Sequence, residues 1–239
     1  MMLLFKLIIA HLIGDFFLQP ESWVKEKETK KLKSPKLYLH IAIHVALTSI
    51  LLWDVSLWFI ILIIGISHFI IDATKLLIQK KKTKRLLFFI DQLLHLLVLI
   101  LCYYWFSNNT EWHLNSLITE NNLLTFVCLL FLTIPVSIIM KTIFTKWNIE
   151  ALTKGNESLK DAGKYIGILE RILVFIFIIF DHWEAVGFLI TAKSVFRFGD
   201  LKESKHRKLT EYILIGTLIS FGIAIITGIL YNYIIYATI

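Results

Sequence analysis

Four pairs of side chains able to ligate a metal recur along the N-terminal part of the chain, all spaced i, i+4. They are His11 and Asp15 in "HLIGD", His40 and His44 in "HIAIH", His68 and Asp72 in "HFIID", and Asp91 and His95 in "DQLLH". On an α-helix, residues four apart share a face and lie about 6 Å apart along the axis. Five of the eight histidines of the chain sit in these pairs, together with three aspartates. Imidazole and carboxylate without thiolate suit Zn, Mn or Fe(II) rather than copper(I), and zinc is favoured. Eight ligands exceed what one zinc needs, so two or three divalent ions are expected. Gln19 continues the first pair by another four residues. With Ser67, Lys75 and Gln92 it is a candidate for hydrogen bonds that orient the ligands. One of Asp15, Asp72 and Asp91 is a candidate general base rather than a ligand.

The elements that must position these pairs are apolar. The chain has 239 residues, 57% of them hydrophobic, and a mean hydropathy of +0.72. Apolar runs recur at about 3–19, 37–53, 56–78, 87–106, 123–144, 166–181, 183–198 and 209–236. They predict an all-α polytopic transmembrane bundle of seven to eight spans, since lipid cannot satisfy open backbone groups. The first, sixth and seventh runs are short. No cleavable signal peptide is expected, because the first run carries His11 and Asp15 and no small-residue cleavage site follows it. Cys102 and Cys128 both lie in apolar runs and offer no disulfide framework.

The basic residues explain the high isoelectric point better than nucleic acid does. Segments 20–36, 75–86, 141–165 and 193–208 hold 23 of the 25 Lys and Arg, while the intervening turns hold none. This alternation places the basic loops in the cytoplasm and both termini outside, with the basic residues against anionic lipid headgroups. The basic runs themselves are expected to be solvated loops. With that topology all four ligand pairs fall at one depth, a few residues in from the cytoplasmic face. Ionisable residues at such a depth are costly and usually face a bundle interior.

Residues 1–107 are expected to form a four-span half, 108–122 an extracytoplasmic loop, and 123–239 a second helical half. The second half lacks histidine pairs and carries Glu170, Arg171, Lys193, Arg197 and Glu211. Lys193 and Arg197 again share a helix face. These charges are read either as an anion clamp for a phosphate or lipid headgroup or as structural ion pairs such as Glu170 with Arg197.

The segments "LIIAHLIGDFFLQ", "HIAIH", "SHFIID" and "DQLLHL", followed by "GILER", "GFLITAKSVFRF" and "EYILIGTLISF", resemble the bacterial membrane-protein family called domain of unknown function 3307. That resemblance implies location in the bacterial inner membrane and a helical fold, and no particular chemistry. By motif style only, the pairs are also similar to inner-membrane metal-dependent hydrolases with transmembrane His-x-x-x-Asp pairs. Those in turn resemble the helical zinc phospholipase C and P1-nuclease group, which cleaves phosphodiesters at a tri-zinc site. Four functions are therefore weighed. The first is an intramembrane metal-dependent hydrolase acting on a phospholipid or lipid-linked phosphate. The second is a divalent-metal transporter or sensor, which would more usually place ligands near the bilayer midplane. The third is a di-iron lipid oxidase, disfavoured because the chain has no His-His dipeptide. The last is a non-catalytic membrane scaffold.

Overall fold

The computed structural model describes residues 1–106, 119–147, 161–196 and 207–238, and among them there is no strand. The helices are α1 (Met2–Leu12), α2 (Glu21–Lys30), α3 (Pro35–Leu52), α4 (Trp58–Ile78), α5 (Lys84–Phe106), α6 (Glu120–Leu132), α7 (Ile134–Phe144), α8 (Ala162–Ile179), α9 (Trp183–Phe196) and α10 (Arg207–Thr238). Among the described residues, five stretches are long and apolar enough to cross a membrane: Pro35–Leu52, Trp58–Ile78, Lys84–Phe106, Glu120–Phe144 and Thr210–Ala237. A sixth is the stretch from Met2 to Lys33, bent by 81° between Phe17 and Glu21. The expected seven to eight spans thus reduce to five or six on length and composition. The reason is local. Helix α8 carries Lys164, Glu170 and Arg171, and α9 has 14 residues, about 21 Å of helix against a ~30 Å hydrocarbon core.

The chain divides into two compact units, Met1–Val127 and Cys128–Ile239. The boundary falls a few residues into the second expected half, so residues 123–127 go with the first unit. Most of the loop expected at 108–122 lies outside the described residues.

In the first unit, α1 packs against α3 and α5, and α4 packs against the same two, closing a four-helix ring. Pro35 opens α3, where its missing N–H costs nothing. Trp53 closes α3 in the left-handed region (φ 47°), its N–H bonded to the Ser49 carbonyl at 3.0 Å. The ring interior has two levels. Leu3, Leu7, Leu52, Leu57, Ile60, Ile64, Leu99 and Cys102 form an apolar level towards the start of α1. The four ligand pairs occupy the other level, next to the loops rich in Lys. Up-and-down connectivity produces this layering, because the pairs come late in α1 and α4 and early in α3 and α5.

In the second unit, α8 packs along α10 and also touches α7 and α9. The stretch 120–144 is broken at Thr133 (φ −87°, ψ −110°), two residues before Pro135. Proline removes an N–H and its ring crowds the preceding turn, which accounts for the break.

Candidate metal centre

All eight predicted ligands meet inside the first unit. His11, His40, His44, His68, Asp72, Asp91 and His95 are each between 1% and 7% exposed, and the Asp15 side chain is 9% exposed. The turn that carries Asp15 is not α-helical. Ile13–Phe17 forms a π-helical turn, sealed by Leu18 N–H on the Ile13 carbonyl at 2.9 Å. Such turns are uncommon and cluster at functional sites. Gln19 therefore does not share an α-helical face with His11 and Asp15. It lies beyond the turn, yet its amide still reaches His40 Nε2 at 2.8 Å.

Asp15 is the hub. Its Oδ1 lies 2.9 Å from His44 Nε2, 3.2 Å from His40 Nε2 and 3.4 Å from His68 Nε2. Its Oδ2 accepts from Gln92 Nε2 at 2.8 Å and lies 3.8 Å from His11 Nε2. His40 Nε2 and His68 Nε2 are also 3.1 Å apart. Hydrogen bonds cannot satisfy this geometry. If all three rings donate to Asp15, two N–H groups point at each other between His40 and His68. Around His40 Nε2 alone stand Asp15, Gln19, His68 and, at 3.7 Å, Asp72 Oδ2. One ring nitrogen has one proton or one lone pair for all four. A cation among these atoms removes the conflict. Tetrahedral zinc with ligand bonds near 2.1 Å separates neighbouring ligand atoms by roughly 3.4 Å, close to the distances around Asp15.

Unpartnered atoms point the same way. Among the described residues, the buried side-chain atoms without a hydrogen-bond partner are His40 Nδ1, Thr48 Oγ1, Asp91 Oδ1 and both ring nitrogens of His95. All belong to this cluster or its rim. Burying a polar atom unpaired costs about 1–3 kcal/mol, so five at one place call for a ligand, an ion or water. A small cavity of ≈ 10 Å³ adjoins Thr48 and His95, lined on its polar side also by His11, His44, Ser67 and His68. That is about the room one water needs.

The possible ligand sets overlap. His11, Asp15, His44 and His68 form one, His40, His68 and Asp72 a second, and Asp15, Asp91 and His95 a third, with ligand atoms within 4.8 Å in each. Asp15 and His68 are shared; a carboxylate is able to bridge neighbouring ions, whereas one ring nitrogen serves a single ion. Two ammonium groups also enter. Lys75 Nζ lies 2.8 Å from Asp91 Oδ2, in keeping with its expected supporting place. Lys27 Nζ lies 2.8 Å from Asp72 Oδ2 and is buried. Lys27 corrects the expectation that the basic segments are solvated throughout. Ser67 lines the cavity, while its hydroxyl donates to the Ile64 carbonyl at 3.1 Å.

Three contributors had escaped the sequence reading. Thr48 extends His40 and His44 by one further i+4 step, a legible signal. Lys27 was hidden in a run of lysines. Gly14 makes room for the His44 ring: a Cβ there would lie 2.5 Å from His44 Cε1 and Nε2.

The charges of the second unit have other partners. Arg171 is buried and donates from Nε to the Leu132 carbonyl (2.6 Å), and from its terminal nitrogens to the Thr133 carbonyl (3.1 Å), Ser137 Oγ (2.8 Å) and Ser220 Oγ (3.2 Å). It thus clamps the break between α6 and α7. Lys193 is paired with Glu170. Glu211 is exposed on α10, and Arg197 lies outside the described residues.

No curated protein and no solved structure matches the chain. A family pattern does match, over residues 3–125, a segment that nearly coincides with the first compact unit and holds the whole cluster. The chain accordingly belongs to the family described as "Protein of unknown function (DUF3307)".

Proposed function

We propose that the protein is a membrane-embedded metal-dependent hydrolase whose centre takes two or three divalent ions, zinc foremost and Mn or Fe(II) as substitutes. The convergence of five imidazoles and three carboxylates from four helices at one level carries this reading. The substrate class is a phospholipid or a lipid-linked phosphate. The bound ions would lower the pKa of a water and so supply hydroxide at neutral pH. His11, His40, His44, His68 and His95, together with Asp15, would hold the ions. Asp91, whose Oδ1 is unpartnered, would join His95 in holding an ion, and one of Asp15, Asp72 and Asp91 would accept the proton of that water. Lys193 and Arg197 are read separately, as contacts of the second unit to lipid headgroups, with Glu170 paired to Lys193.

The reading places the protein in the bacterial inner membrane, basic loops in the cytoplasm, with its centre at headgroup depth and membrane lipids as its partners. Counting α8 and α9 as a short hairpin brings the crossings to seven or eight. Passage of a metal through the protein is less well supported. The polar level is backed by the apolar level of Leu7, Leu52, Ile60, Ile64 and Leu99, in which the Cys102 thiol is the single side chain able to ligate an ion.

Elemental analysis of detergent-purified protein tests the centre. Wild type should carry two or three equivalents of metal, with fewer in both His44→Ala and Asp91→Ala. No metal above background, even after reconstitution, would leave a hydrogen-bonded scaffold instead. A loaded protein that cleaves no lipid phosphodiester or monoester would retain the centre and lose the hydrolase assignment.

A further inference from the structure

Helix α2 does not belong to the four-helix ring. It lies across the polar end, turned by 81° from the stretch before it. Its outward face is solvated, with the side chains of Glu21 and Lys25 63% and 73% exposed. Its inward face is fastened at three places. Lys27 pairs with Asp72. Lys31 Nζ donates to the Leu76 carbonyl near the end of α4 at 2.6 Å. Glu28 accepts from Gln79 Nε2 at 3.0 Å and from Lys84 Nζ at 2.8 Å. Its boundaries look like hinges. Pro20 precedes it, and Lys31 follows with φ 55° and ψ −131°, a conformation that costs a side-chain-bearing residue about 1–3 kcal/mol.

The candidate ligand sets differ in one respect. In the set of Asp15, Asp91 and His95, Lys75 takes Asp91 Oδ2 at 2.8 Å but leaves Asp91 Oδ1 unpartnered, as are both ring nitrogens of His95. In the set of His40, His68 and Asp72, the carboxylate oxygen facing His40 Nε2, Asp72 Oδ2, already has the Lys27 ammonium 2.8 Å away. A cation bound to that oxygen would stand directly beside the ammonium, and like charges in a buried site repel strongly. We infer that α2 is a lid over the metal centre and that Lys27 is its plug: a divalent cation enters the His40–His68–Asp72 position only when the ammonium withdraws and α2 lifts. This rests on the metal reading above and adds its regulation. One position is closed by the protein's own cation, so the sites fill in sequence, and filling the last one opens the face through which a headgroup would reach the ions.

The test is a Zn²⁺ titration of the full chain in detergent against a competing chelator, comparing wild type, Lys27→Met and Glu28→Gln. Lys27→Met should bind the last equivalent about tenfold more tightly. Glu28→Gln should also tighten it, by a few-fold, because it loosens the lid while leaving Lys27 in place. A field effect alone has the opposite sign for Glu28→Gln, since removing a negative charge weakens cation binding. Unchanged or weaker binding by Glu28→Gln, with the other equivalents intact, overturns the lid and spares the centre. Absence of zinc from all three proteins overturns both. Should Lys27→Met not fold, Val24→Cys on the half-buried side of α2 is the second readout. Its alkylation should accelerate when zinc is added, and a rate indifferent to zinc refutes the lid.

Discussion

Gly14 owes its place to the imidazole beside it. A methyl group at this position would sit 2.5 Å from two atoms of the His44 ring, whose Nε2 is 2.9 Å from Asp15. Neither neighbour can retreat cheaply, because His44 is almost fully buried and Asp15 is held by several partners. Gly14→Ala should therefore turn the ring away from the hub. Overpacking of this size costs about 1–3 kcal/mol, so a lower melting temperature in detergent is expected, together with about one equivalent less metal where the loss of a buried ligand contact removes an ion. Full metal content in Gly14→Ala would mean that the ring has room to move without leaving its ligand position. At this scale the composition of the cluster could be read from spacing alone. Asp15 as hub could not, because i, i+4 repeats assign residues to helix faces and leave open which face meets which.

Two departures from regular helix among the described residues have a use. The π turn at Ile13–Phe17 carries Asp15 into the ring and leaves Gln19 outside the helix but within reach of His40. The break at Thr133–Pro135 frees carbonyls that Arg171 then holds. Arg171→Met would leave the Leu132 carbonyl and several other acceptors without their charged donor. A loss of about 2–4 kcal/mol is expected, read as a lower melting temperature in detergent with metal content unchanged. Pro135→Ala, which restores an N–H to the turn, should recover part of that loss in the double variant. Metal loss in Arg171→Met would instead tie the guanidinium to the centre. "GILER" marks a charged pair in an apolar run, and both an anion clamp and an ion pair fit that pattern. The part Arg171 takes in the fold depends on a break 38 residues earlier in the chain, too far for any local pattern to reveal.

At the scale of the molecule, the family match and the compact unit end within a few residues of each other, at Thr125 and Val127. The ring α1–α3–α4–α5, the lid α2 and every candidate ligand lie within that unit. Residues 1–127 expressed alone should therefore insert in the membrane and bind the same number of metal equivalents as the full chain, by elemental analysis of both. A fragment that inserts without metal would require the second unit for the centre.

The sequence by itself determined the class of the protein, the four ring helices of its first unit and the eight candidate ligand residues. Hydropathy and i, i+4 spacing are local, and the up-and-down alternation of basic loops carries the pairs to one level. Tertiary structure alone decided the rest. Lys27 became a buried partner of Asp72 because α2 folds across the ring, although its own segment reads as a solvated basic run. Asp15 became the hub because a π turn rotates it inward. The centre is therefore legible as a set of residues, while its connections are set by packing between helices.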